Sequence, residues 1–250
     1  MKGNWPWPRL FAHRGGGALA PENTLAAIRL GQSLGYTAHE IDVKLSQDGV
    51  PVLLHDATLE RTTNGRGRAA DLPWAELEKL DAGSWHSPRF AGERIASFAQ
   101  AAALFRSRDT KVHIEIKPTP GFDRETGKKV ALATRALFGD AKVAPIFSSF
   151  SFEALLAARE AAPEIARAWL IDQFTDADWD RLGRLEAVSL HTSHKKLDLA
   201  QVPQLHDKGY RVNLYTVNEI DRAAMLLEAG VDGLFTDSLE AFAAYFPKLI

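Results

Sequence analysis

The chain has 250 residues, a net charge of −2 from 30 basic and 32 acidic side chains, 46% apolar residues and no cysteine. A chain of this length buries roughly 70–75% of the surface of its unfolded form and needs no covalent staple. The absence of cysteine excludes disulfide scaffolds, iron–sulfur clusters, thiolate zinc sites and cysteine nucleophiles, and the even charge balance excludes recognition of nucleic acid or anionic membrane by bulk charge.

Met1 to Pro8 holds one basic residue, two prolines and no continuous apolar run, which does not read as a signal peptide. Nowhere does the chain offer the roughly 18 uninterrupted apolar residues of a membrane span. The expectation is a cytoplasmic protein with no stable membrane association and no nucleic-acid partner. Residues 9–13 read as a strand, and Pro21-Glu22-Asn23-Thr24 opens a helix with Leu25, Ile28 and Leu34 on one side and Gly35 at its stop. Residues 38–43 form the next strand, with Glu40 and Asp42 on one face and His39, Ile41 and Val43 on the other. Asp48-Gly49 signals a turn, and residues 51–55 return as a strand. A two-residue hairpin there sets Ser46 against Pro51, Val43 against Leu54 and Asp42 against His55; the alternative is an irregular parallel return.

Residues 56–95 break this rhythm with Thr62-Thr63-Asn64-Gly65, a short helical piece at 73–80 and scattered Gly and Pro. An excursion this long reads as an insertion that covers a site, because connections in α/β units usually run to about 2–6 residues. Ser97 and Gln100 then form a capping box for a helix bearing Phe98, Ala101 and Phe105. A strand at 111–117, a helix near 124–138, a strand at 143–149 and a helix capped by Ser151 follow. Strands at 166–171, 187–192 and 211–217 alternate with helical segments. Asn218 is read as the cap of a helix ended by Gly230, residues 232–236 as a short extended piece, and Ser238 as the start of a terminal helix with Leu239, Phe242 and Phe246 on one face. This alternation predicts a parallel α/β fold, a closed barrel or an open doubly wound sheet. With no repeat or linker in evidence, residues 1–250 read as one domain, the usual size of an α/β barrel.

Four segments bring ionisable residues to predicted strand ends: His13-Arg14-Gly15, Glu40-Ile41-Asp42, His55-Asp56 and Glu115-Ile116-Lys117. In a parallel barrel that end carries the chemistry. Two-residue spacing puts Glu40 with Asp42, and Glu115 with Lys117, on one side of each strand. Three converging carboxylates cannot all stay ionised without a cation, and Mg²⁺ and Ca²⁺ prefer oxygen ligands, so Glu40, Asp42 and Glu115 are candidate metal ligands. The competing arrangement is an ion network with Arg14 and Lys117. His13 and His55 suit acid and base roles. Arg14, Lys117 and the N–H groups of Gly15 to Gly17 suit an oxyanion such as phosphate. His39, His86, His194 and His206 read as core or surface residues, His113 as packing one layer deeper, and His191 as a weaker candidate at a strand end.

At these residues the sequence resembles the glycerophosphodiester phosphodiesterase family. The segments above carry the resemblance together with Pro21-Glu22-Asn23-Thr24, Asp48-Gly49, Arg61-Thr62-Thr63, Asp81-Ala82-Gly83, Thr216-Val217-Asn218 and Gly230-Val231-Asp232-Gly233. The resemblance implies a TIM-like (β/α)8 barrel with a small insertion after the third strand, a divalent metal, Mg²⁺ or Ca²⁺, on Glu40, Asp42 and Glu115, acid–base work by His13 and His55, and phosphate contacts from Arg14 and Lys117. It also implies hydrolysis of a glycerophosphodiester to glycerol 3-phosphate and an alcohol. Ser46, Ala96 and Tyr215 depart from the family pattern of Thr, Pro and Trp, and Tyr215 near a strand end bears on the fit of the substrate pocket. Two other functions compete: a catalytically silent module that binds a phosphorylated metabolite, and a phospholipase-D-like lysolipid hydrolase. The latter expects Leu72, Trp74, Trp85 and Phe90 to line an apolar mouth, against their reading as a small core inside the insertion.

Overall fold

The computed structural model describes Trp5 to Ile250; Met1 to Asn4, the start of the segment read above as lacking a leader, lie outside the described residues. Strand β1 (Leu10–Ala12) is followed by helix α1 (Leu25–Ser33), β2 (Ala38–Leu45) and β3 (Pro51–Leu53). Helices α2 (Trp74–Leu77) and α3 (Phe98–Arg106) lead to β4 (Lys111–Ile116), α4 (Asp123–Phe138), β5 (Ile146–Ser149) and α5 (Phe152–Ala161). Then come β6 (Ala166–Leu170), α6 (Asp178–Arg184), β7 (Ser189–Ser193), α7 (Gln201–Asp207), β8 (Arg211–Tyr215), α8 (Ile220–Glu228), β9 (Gly233–Thr236) and α9 (Leu239–Tyr245).

The sheet runs β1-β9-β8-β7-β6-β5-β4-β2, and pairing of Ala12 with His39 closes it into a parallel TIM-like barrel. Strand β3 lies outside the barrel, antiparallel on β2. The local chemistry anticipated above sets several helix starts: the Thr24 side chain accepts from Ala27 N–H, and Ser97 with Gln100 completes its capping box. One cap differs. Helix α8 begins after Glu219 without a side-chain cap, and Asn218 is turned instead toward Asp237.

The hairpin register also differs by one residue. Val43 faces Leu53 and Leu45 faces Pro51, so Asp42 stands opposite Leu54, whose N–H donates to the Asp42 carbonyl. The cause is a three-residue loop. Ser46 pairs with Val50 through N–H to carbonyl at 3.0 Å, the Ser46 hydroxyl accepts from Val50 N–H, and Gly49 takes φ +80°. Such a loop puts its glycine in the left-handed region, where a side chain is strained.

Among the described residues three apolar clusters organise the molecule. The largest joins the outer faces of the strands, such as Ile41, Val43, Ile114 and Ile116, to the helices through Ile28, Phe98 and Phe105. A second joins Trp7, Phe11, Ala38, Ile146, Ala168 and Phe235. The third is the insertion's own: Leu59, Ala69, Leu77 and Ile95 are buried, with Leu72 and Trp74 packed on them. Leu72 and Trp74 are thus core rather than mouth lining, whereas Trp85 is 41% exposed and Phe90 meets His86 edge-on. Among the described residues no helix is long and apolar enough to cross a membrane.

Candidate active site

Register brings the site together. β2 pairs β4 with Asp42 beside Glu115 and Glu40 beside His113, so the inward residues of two neighbouring strands form one acidic corner. One ligand oxygen each from Glu40, Asp42 and Glu115 lie within 4.8 Å of one another. Burial penalises charge on all three. It pushes Glu40 and Glu115 up from the usual carboxylate range, and the Asp42 charge adds to the push. At Asp42 burial is outweighed by the Arg14, His55 and Lys117 charges and by the Asn23 amide, so its pKa falls.

Glu40 Oε1 and Asp42 Oδ1 are fully buried without a hydrogen-bond partner, and Glu115 Oε1 has the Lys117 ammonium at 2.9 Å but no aligned hydrogen bond. Buried oxygens left bare in this way cost free energy unless a cation takes them. The donor set is oxygen only and carries at least one full negative charge. It fits a hard divalent ion such as Mg²⁺ or Ca²⁺.

His13 and His55 flank this corner, and each is held by a carboxylate that fixes its Nδ1. His13 Nδ1 lies 2.7 Å from Asp237 Oδ1, and its Nε2 lies 3.9 Å from Glu40 Oε2. His55 Nδ1 lies 2.6 Å from Asp56 Oδ1, and its Nε2 lies 3.2 Å from Lys117 Nζ. The environments have opposite sign. At His13 burial opposes the charged form, but the Asp237 hydrogen bond and the Glu40 and Asp237 charges overcome it and raise the pKa. At His55 burial, with Arg14 and Lys117, overcomes Asp42 and Asp56 and lowers it.

Arg14 reaches the corner from a left-handed turn, φ +49°, and its backbone N–H donates to Glu40 Oε2 at 2.9 Å. Its Nη1 donates to Glu22 Oε1 at 2.7 Å, and Nε lies 3.6 Å from Asp42. The glycines after it supply fewer donors than expected, because Gly17 N–H donates to the His13 carbonyl and Gly15 N–H to that of Ala12. A Cβ on Gly17 would stand 2.4 Å from the Asp237 carbonyl, so this turn packs directly on the segment that holds His13.

Tyr215 and His191 meet His13, His55 and Glu115 around a cavity of about 260 Å³. The Tyr215 hydroxyl donates to the Ile171 carbonyl, which leaves its ring to the cavity. His191 lies on the floor, stacked on His113, whose ring also meets Trp7 and Phe11.

Several residues here escaped the sequence reading as site residues. Asn23 clasps Asp42, donating through Nδ2 to Oδ2 at 2.8 Å and accepting Asp42 N–H through Oδ1. Asn218 accepts the Asp237 backbone N–H at 2.8 Å. Arg61 of the insertion donates to both Asp56 and Glu22. Buried Lys44 donates to the His55 carbonyl at 3.1 Å. Pro-Glu-Asn-Thr and Thr-Val-Asn carried a signal for Glu22, Asn23 and Asn218; Asp237 had none.

Residues 13–241 match the model of the glycerophosphoryl diester phosphodiesterase family. A glycerophosphodiester phosphodiesterase of Caldanaerobacter subterraneus is 34% identical over 235 residues, which cover 92% of this chain and 94% of that protein. The fold is similar to that of an Oleispira antarctica phosphodiesterase solved in complex with the product sn-glycerol-3-phosphate, with a TM-score of 0.90, 34% identity, and 97% and 98% of the two chains covered. A glycerophosphodiester phosphodiesterase from Agrobacterium tumefaciens superposes with a TM-score of 0.78 at 26% identity, covering 95% of this chain and 99% of the other.

Proposed function

The chain belongs to the glycerophosphoryl diester phosphodiesterase family, and from that premise we propose that it cleaves glycerophosphodiesters to sn-glycerol 3-phosphate and an alcohol with a divalent cation on Glu40, Asp42 and Glu115. The observation that carries this reading is one oxygen-only corner, partly bare and buried, between two histidines that are each held by a carboxylate. When bound, a divalent cation supplies charge neutralisation at a phosphate oxygen.

The protein's own groups divide the remaining work. Arg14 and Lys117 bind the other phosphate oxygens. An ammonium only donates, so the contact from Lys117 leaves His55 Nε2 as a lone pair and puts the ring proton on Nδ1 toward Asp56. His55 therefore acts as base, taking a proton from the water whose oxygen bonds to phosphorus as the bond to the alcohol oxygen breaks. His13 sits between two carboxylates and starts protonated, so its Nε2–H passes a proton to the departing alkoxide oxygen. The Tyr215 ring and His191 bound the space for the glycerol arm.

The test is release of sn-glycerol 3-phosphate from glycerophosphocholine and glycerophosphoglycerol with Mg²⁺, Ca²⁺ or Mn²⁺ and in EDTA. Full activity in EDTA overturns the metal role. Binding of glycerophosphocholine without cleavage overturns catalysis in favour of a binding module, a reading that leaves two carboxylate-held histidines without purpose. Turnover of lysophosphatidylcholine above that of its deacylated counterpart would instead favour a lysolipid hydrolase, for which Leu72 and Trp74 offer no lining.

A further inference from the structure

A second depression, about 320 Å³ and more open, adjoins the catalytic cavity. Lys117, Pro118 and Asp123 form one side and Ser149, Phe150 and Ser151 the other, and the two spaces share Glu115 and Phe150. Phe150 is 48% exposed, its ring meets Tyr215 edge-on at 6.2 Å, and Lys117 Nζ lies 5.6 Å from its centroid. A ring this exposed can be reached by a ligand.

Besides Glu115, this depression is lined by one further acidic group, Asp123. Asp123 opens α4, and its Oδ1 accepts the Ser151 hydroxyl at 2.6 Å. Ser151, which also accepts Ala154 N–H, holds Asp123 in place, and the Ser149 hydroxyl is committed to the Ile116 carbonyl. Other acids of α4 and α5 have basic partners: Glu125 pairs with Lys129, and Glu153 and Glu160 with Arg124. Among the described residues Asp123 has no such partner within 4 Å.

The depression thus brings together a cation that suits phosphate, a half-exposed aromatic ring and a carboxylate without a basic partner. These groups match the charges of a zwitterionic amino-alcohol phosphodiester, whose nitrogen lies two carbons beyond the ester oxygen. Aromatic faces and carboxylates together attract quaternary and primary ammonium groups.

We propose that this groove is the subsite for the leaving alcohol, and that Asp123 and Phe150 select a cationic amino alcohol, choline or ethanolamine, over a neutral polyol. The enclosed cavity beside Tyr215 then takes the glycerol arm. The inference rests on the phosphodiesterase reading above and adds the class of alcohol to it.

The experiment compares kcat/KM for glycerophosphocholine, glycerophosphoethanolamine and glycerophosphoglycerol in the native protein and in Asp123→Asn. Native protein prefers the two cationic esters. Asp123→Asn lowers kcat/KM for those two by about threefold to tenfold, the range of an exposed carboxylate and ring acting on one cation, and leaves glycerophosphoglycerol unchanged. Tetramethylammonium, as a probe of the groove alone, competes with glycerophosphoglycerol in the native protein and about threefold to tenfold more weakly in the variant. Equal loss on all three esters would mean that Asp123 serves only the start of α4, and it overturns the proposal. So does an unchanged preference in the variant, or no cationic preference in the native protein. Failure of native protein to cleave any of the three brings down the phosphodiesterase reading itself, which the other outcomes leave standing.

Discussion

The Arg61 guanidinium donates from Nη1 to Glu22 Oε2 at 2.7 Å while its Nε donates to Asp56 Oδ2 at 2.6 Å. Glu22 holds Arg14, the neighbour of His13, and Asp56 holds His55. One side chain from the insertion therefore ties together the two segments that carry the histidines. Arg61 itself is 44% exposed, and the value of this fork lies in positioning rather than in stability.

Arg61→Ala should keep the fold and lose activity. Release of Glu22 and Asp56 loosens both histidine segments at once, and kcat should fall by about tenfold to a hundredfold, the scale on which small misplacements act. Circular dichroism and a kcat against KM comparison check this; an unchanged kcat would remove the insertion from the catalytic arrangement.

The rate should be bell-shaped in pH. In the proposed mechanism cleavage requires His55 bare and His13 protonated; the His55 pKa is lowered and the His13 pKa raised from the ordinary imidazole value, so the competent form prevails between the two. Asp237→Asn removes a group that raises His13. The alkaline limb of kcat/KM should move to lower pH, with a loss of about a hundredfold or more. A limb that stays in place assigns it to another group.

Lys117→Met should move the other limb. Lys117 is one of the groups that lower His55, so its loss raises the acidic limb and narrows the active window from below. Loss of a donor to phosphate adds a rate penalty of about a hundredfold. If the acidic limb stays where it was, His55 does not govern it.

Without a cation the acidic corner is a source of instability at alkaline pH. The folded pKa of Glu40 is raised, so the stabilising state is the protonated one, present at low pH and lost as pH rises through the folded value. Glu40→Gln should therefore raise the melting temperature of metal-free protein at pH 9. The native protein should gain about 5–10 °C from a cation at a hundredfold its dissociation constant, and the variant should gain much less. Calorimetry with and without EDTA reads both effects, and equal shifts in the two proteins would take Glu40 out of the ligand set.

The strand ends and the parity of Glu40-Ile41-Asp42 and Glu115-Ile116-Lys117 were legible in the sequence because both follow from the two-residue period of a strand. Asp237 was not, since its partner His13 lies 224 residues away and no local pattern links them. Asn218 looked like a helix cap because its position before a helix is the usual one, yet contacts with the Asp237 segment claimed its side chain. Asp48-Gly49 announced a turn but not its length, which was decided by Ser46 bonding across to Val50. Leu72 and Trp74 could be sorted from mouth to core only once the insertion had folded on Leu59 and Leu77.

The β2–β3 hairpin reaches the histidine after two residues, since β3 ends at Leu53 and His55 follows Leu54. Elsewhere in the barrel a helix and flexible connections can absorb a gained or lost residue. Here they cannot: changing the loop at Gln47 to Gly49 by one residue would slide the ladder by one, exchange the faces of Leu54 and His55, and carry the imidazole away from the acidic corner. This three-residue loop is thus one where the chain has least freedom to vary in length, and homologues that lengthen it must do so in ways that restore the same parity.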